Sequence, residues 1–121
     1  MNELTITPLE NRVLQEILRG DSEVNRQLRN QLEHATIRER ELTGVGFFLN
    51  FDVPKHLSIS DSLNRTIGNV HAEVTRLEHG MGFVLFITHG LIDVLEGFTY
   101  GYEEFDPACE IISLRDIQSK P

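Results

Sequence analysis

His71 and Glu73 stand two residues apart in a stretch, Ile67 to Leu77, that alternates apolar and polar side chains. On a strand that spacing puts both on one face, where an imidazole and a carboxylate can share a metal or pass a proton. Two ligands do not make a metal site. No third is evident, because His56, His79 and His89 fall in expected loops. The plainer outcome is a solvated polar patch, and no metal or other cofactor is expected. Cys109 is the one cysteine. A thiolate nucleophile needs a base and an electropositive setting, whereas Asp106 and Glu110 beside it would disfavour ionisation. It reads as a small apolar residue. Gly44-Val45-Gly46 and Gly80-Met81-Gly82 lack the Lys-Ser/Thr tail of a phosphate loop and do not lead from a strand into a helix, so they read as bends or bulges. No catalytic residue is assigned.

Glu96 is a sharper candidate. It lies between Val94 and Phe98 on an apolar face, where burial would favour the neutral acid and permit acid catalysis. The competing outcome is a Glu at a strand end reaching water. Arg38, Arg40 or Arg76 could neutralise it if it is buried. Around it, Phe98, Tyr100, Tyr102 and Phe105 interleave with Glu103, Glu104 and Asp106. Aromatic rings give contact area at low entropy cost, and flanking acids steer basic partners. These eight residues (Glu96, Phe98, Tyr100, Tyr102, Glu103, Glu104, Phe105 and Asp106) form the candidate partner-binding set. The bland reading makes the rings core and the acids their solvated backs.

Charge points the same way. The net charge is −8, and from Asp93 to Glu110 there are six acids and no base, against twelve acids and nine bases in residues 1–92. Such a field repels phosphate backbones and attracts basic proteins, so nucleic acid is not an expected partner. The start, MNELTITPLE, has no basic segment and no apolar core, and no run approaches the ~20 apolar residues of a membrane helix. With one cysteine no internal disulfide forms. The expectation is a cytoplasmic protein without a membrane partner.

The elements that must position these residues centre on Gly82 to Tyr102. His89-Gly90 is a two-residue turn between apolar arms, Gly taking positive φ freely and His tolerating it. That turn predicts the pairs Thr88–Leu91, Ile87–Ile92, Phe86–Asp93, Leu85–Val94, Val84–Leu95 and Phe83–Glu96. One face then carries Phe83, Leu85, Ile87, Ile92 and Val94; the other carries Val84, Phe86, Leu91 and Leu95, with Asp93 among them. Both are apolar, so both need cover: one from the N-terminal helices, the other from a curled sheet, a loop or a second subunit.

Upstream, Thr7-Pro8-Leu9-Glu10 has the form of a capping box opening a helix that Gly20 ends. Asp21 or Ser22 opens a second helix ending near His34, with Arg26, Arg29 and Gln31 on its polar side. Thr36 to Leu42 is expected as an edge strand whose alternating charge discourages stray pairing. Val45 to Val53 is a strand with Val45, Phe47, Leu49, Phe51 and Val53 inward and Phe48 as the outward exception. Lys55 to Thr66 reads as a mobile loop with a short helix capped by Ser60 an option, and Cys109 to Ile117 as a last strand. At 121 residues the chain is read as one α+β domain, residues 1–121, with an N-terminal antiparallel helix pair followed by a five- or six-stranded, mostly antiparallel meander sheet.

RERELTGVGFFLNF and LEHGMGFVLFITHGLIDVLEGFTYG, spanning roughly residues 35–105, resemble a group of small bacterial proteins of unknown function. The resemblance implies a bacterial origin and a shared fold, and brings no catalytic residues with it. The reading it accompanies is a non-catalytic interaction module, such as an immunity- or antitoxin-like inhibitor of a basic partner. The alternatives are a small-molecule binder or enzyme with a pocket between helices and sheet, using Glu96, His71 or an arginine, and a homodimer built through the sheet.

Overall fold

A computed structural model describes residues 5–116. Two helices come first, α1 (Pro8–Ile17) and α2 (Glu23–His34), followed by β1 (Thr36–Leu42), β2 (Gly46–Asp52), β3 (Arg65–Val74), β4 (Met81–Thr88), β5 (Leu91–Thr99) and β6 (Ile111–Asp116). The expected last strand starts two residues later than Cys109, and Ile117 and the tail lie outside the described residues. Every strand pairing is antiparallel, in the order β1-β2-β5-β4-β3-β6. The two apolar arms, β4 and β5, are therefore the middle of the sheet. The order departs from a plain meander: after β2 the chain crosses to the far side to lay down β3, and β5 returns beside β2.

The helix signals act as the residue types dictate. Thr7 and Glu10 form the full capping box, and Ser22 caps α2 through the N–H of Asn25. Helix α1 stops at Ile17, short of Gly20, and the Arg29 guanidinium donates to the Leu18 and Gly20 carbonyls left open there. Both helices pack on one side of the sheet. Val13, Leu14, Ile17 and Leu28 join Phe47, Leu49, Phe51, Val70, Ala72, Phe83, Leu85, Ile87, Ile92 and Leu95 in a single core. Gly97 in β5 lets rings cross the sheet there. A Cβ on it would come 2.5 Å from Phe47 and 2.9 Å from Phe83.

The hairpin turn forms as expected, with His89 at φ 52° and Gly90 at φ 74°, and Thr88–Leu91 and Ile87–Ile92 pair as expected. The remaining expected register is wrong. Asp93 is a bulge, so Phe86 pairs Val94, Leu85 pairs Leu95, Val84 pairs Glu96 and Phe83 pairs Gly97. The extra residue exchanges the faces beyond it: Leu95 turns into the core and Val94 turns out. Paired as a plain two-residue hairpin, the strand would have put Glu96 opposite the fully buried Phe83.

Two polar residues are drawn into the fold, Gln31 fully and Arg40 in part. Gln31 is 0% exposed. Its amide donates to the Leu57 and Gly90 carbonyls and accepts from the Ile92 N–H, tying α2 to the hairpin tip. Arg40 of edge strand β1 reaches under the sheet to the buried Glu10 carboxylate, with Nε and Nη2 at 2.8 and 2.7 Å, and that hydrogen-bonded carboxylate pushes its pKa up. The segment expected as a mobile loop is pinned to the tip. The Ile59 N–H donates to the Gly90 carbonyl, the Gly90 N–H to the Leu63 carbonyl, and Ser58 Oγ to the His89 carbonyl. It holds a short 3-10 turn at Lys55–Leu57 rather than a helix at Ser60.

Candidate functional site: the open face of the sheet

Antiparallel partners share a face, so the pairings fix what the side away from the helices displays. The central row reads Glu41, Phe48, Glu96, Val84. On one side of it lie Glu39, Asn50, Val94, Phe86 and Thr66; on the other lie Gly46, Phe98, Gly82, His71 and Arg115. Phe48, Val84, Phe86, Val94 and Phe98 are each partly exposed, whereas their inward neighbours Leu49, Leu85 and Leu95 are fully buried. Of the two faces expected to need cover, the helices cover one. No described helix packs on the other.

Glu96 sits at the middle of this apolar patch, between Phe48 and Val84 across the strands and Val94 and Phe98 along its own. Its carboxylate is half-buried and, among the described residues, has no hydrogen-bond or ion-pair partner. The three arginines that could have neutralised it are engaged elsewhere. Arg38 holds Asp52 at 2.7 Å, Arg40 holds Glu10, and Arg76 faces Asp106 at 3.2 Å.

Phe98 lies flat along the next row because Gly82 has no side chain: a Cβ there would meet the Phe98 ring at 2.7 Å and the Tyr100 hydroxyl at 2.6 Å. Tyr100 meets Phe98 edge-on at 5.9 Å and stacks on His71 at 5.4 Å. Burial pushes the Tyr100 phenol up, against a smaller opposing pull from the Arg115 charge. His71 and Glu73 do share the face, but His71 Nε2 and Glu73 Oε2 are 3.7 Å apart, too far for a hydrogen bond. Among the described residues no three His, Cys, Asp or Glu side chains are grouped to hold a metal ion. Cys109 is buried, and its burial, then the Asp106 charge, pushes the thiol up.

The eight residues named for partner binding thus divide. Glu96, Phe98 and Tyr100 share the open face. Tyr102 (88% exposed) and Glu104 project from the loop beyond β5. The other three are tied into the fold. Glu103 receives the N–H groups of Glu78 and His79, each at 2.8 Å. Phe105 packs on the core side against Phe47 at 5.5 Å. Asp106 accepts the Ala108 N–H and faces Arg76. Phe48, Val84, Phe86 and Val94 complete the face. The signal for Val84, Phe86 and Val94 was the apolar character of both sides of the central hairpin, and for Phe48 its place as the outward exception of its strand.

Among the described residues no helix is long and apolar enough to cross a membrane. Compared with protein-family models, with curated proteins and with solved structures, the chain gives no match.

Proposed function

We propose that the protein is a non-catalytic binding module whose open sheet face seats and masks a basic partner, in the manner of an immunity- or antitoxin-like inhibitor. The observation that carries this reading is the Glu96 carboxylate, without a partner among the described residues and ringed by Phe48, Val84, Val94 and Phe98. A partner's arginine or lysine would form a charge-assisted hydrogen bond there while its methylenes cover the rings, in a setting that excludes water. Glu39 and Glu41 at the β1 edge extend the negative field and favour encounter with cations. Tyr102 and Glu104 fit a polar rim.

The test is the affinity of an arginine-rich peptide for matched variants. Glu96→Lys removes binding, whereas Glu33→Lys, the same charge change on exposed α2, leaves most of it. Wild-type affinity falls as salt rises from about 50 to about 500 mM, as screening shortens the reach of exposed charges. Equal losses in the two variants would reduce the effect to net charge and defeat the reading.

A second reading, self-association through the same face, is favoured by its edges. Glu39 and Glu41 lie at one side and Arg115 at the other. A copy turned about an axis parallel to the strands would set acid over base. Sedimentation equilibrium tests it: Arg115→Glu converts a dimer to a monomer, and a wild-type monomer at all concentrations rules it out.

A further inference from the structure

A cleft of about 430 Å³ opens at the hairpin-tip end of the sheet, within the size range of small-molecule sites. It shares no residue with the apolar patch around Glu96. Phe51 and Ile92, both nearly buried, form its apolar depth, and Lys55, Asp61 and His89 stand exposed at its mouth.

The polar groups fall into two sets. His89 Nδ1 lies 3.0 Å from the backbone oxygen of Asp61. A carbonyl oxygen only accepts, so Nδ1 carries the proton, and in the neutral ring Nε2 is an acceptor. The residue is held further by its N–H to Asn64 Oδ1 and by Ser58 Oγ on its carbonyl. Asp93, the bulged residue, takes the Thr88 hydroxyl on one oxygen and keeps the other. The Asp61 carboxylate has no ion-pair partner among the described residues. These are acceptors. The donors are Lys55, likewise without an ion-pair partner among the described residues, and Arg38, which uses Nη1 on Phe51 O and Asp52 and keeps its other N–H groups.

We propose that this cleft binds a small zwitterion with an apolar body, the chemical class of a free apolar α-amino acid. The ammonium goes to Asp93, Asp61 and His89 Nε2, the carboxylate to Lys55 and Arg38, and the side chain to Phe51 and Ile92. A plain carboxylic acid would face three aspartates, and a plain amine would face Lys55 and Arg38. A ligand carrying both charges meets each with its opposite. The proposal is independent of the open face, so either can fail alone.

Calorimetric titration of the full chain with L-phenylalanine, N-acetyl-L-phenylalanine and L-phenylalanine amide tests it. The zwitterion binds saturably, and each blocked form, having lost one charge-assisted contact, binds about tenfold or more weakly. Lys55→Met weakens the zwitterion by a similar factor. His89→Asn does so too while keeping the turn, because Asn accepts the left-handed backbone. Thermal melts confirm that both variants fold. The proposal is overturned if neither L-phenylalanine nor L-leucine binds at about 10 mM, if a blocked form binds as well as its parent, or if both variants bind unchanged.

Discussion

At the scale of single residues, the fold claims some charges and leaves others free. Glu103 was read as a partner-facing acid, yet its carboxylate clamps the β3–β4 turn. The Glu78 N–H, the largest influence, holds it below the usual carboxylate range; burial opposes it, and the His79 N–H and charge add smaller lowering effects. A depressed folded value means that its contribution to stability is complete above the ordinary carboxylate range and is lost as pH falls through the lower folded value. The expected outcome is that urea midpoints of wild type and Glu103→Gln differ at pH 7 and converge below about pH 4. A constant offset across that range would contradict the clamp. Glu96 is the opposite case, with Arg38, Arg40 and Arg76 each engaged by another carboxylate.

At the scale of elements, α2 is bound to the sheet through Gln31 as well as by apolar packing. Gln31→Ala leaves the Ile92 N–H and the Leu57 carbonyl without their partner. The expected cost is roughly 2–4 kcal/mol, read as a lower urea midpoint at unchanged slope, with faster amide exchange at Ile92. A cost under about 1 kcal/mol would show that water replaces the side chain. The same residue marks the limit of what the sequence makes legible. Helix caps, the edge strand Thr36–Leu42, the His89-Gly90 turn and the inward Phe47, Leu49 and Phe51 of β2 follow from local residue types, and the structure has them, whereas Val45, expected inward, lies before β2 and is exposed. Gln31 and Arg40 have the composition of surface residues, and only tertiary neighbours reveal that Gln31 is buried and that Arg40 turns onto the buried Glu10. The bulge at Asp93 adds one residue without a turn signal, so alternation alone carries the register past it and exchanges Val94 with Leu95. Of the candidate face, Glu96 and Phe98 on β5 were legible. Phe105 was not separable from them, because a ring in a loop packs wherever the chain returns, here against Phe47.

At the scale of the whole molecule, two layers leave one sheet face without a described helix over it. That face gathers Phe48, Val84, Phe86, Val94 and Phe98 around an acid without an ion-pair partner among the described residues, in a chain of net charge −8. Exposed apolar patches rimmed by charge mark interaction surfaces more often than bare monomer surface. The most direct measurement is an NMR amide-shift map of the chain titrated with an arginine-rich peptide at low salt. The account predicts that shifts concentrate on Phe48, Val84, Val94, Glu96 and Phe98 and fade at high salt, with α1 and α2 unmoved. Shifts centred on the helices, or scattered evenly over the acidic surface, would contradict it.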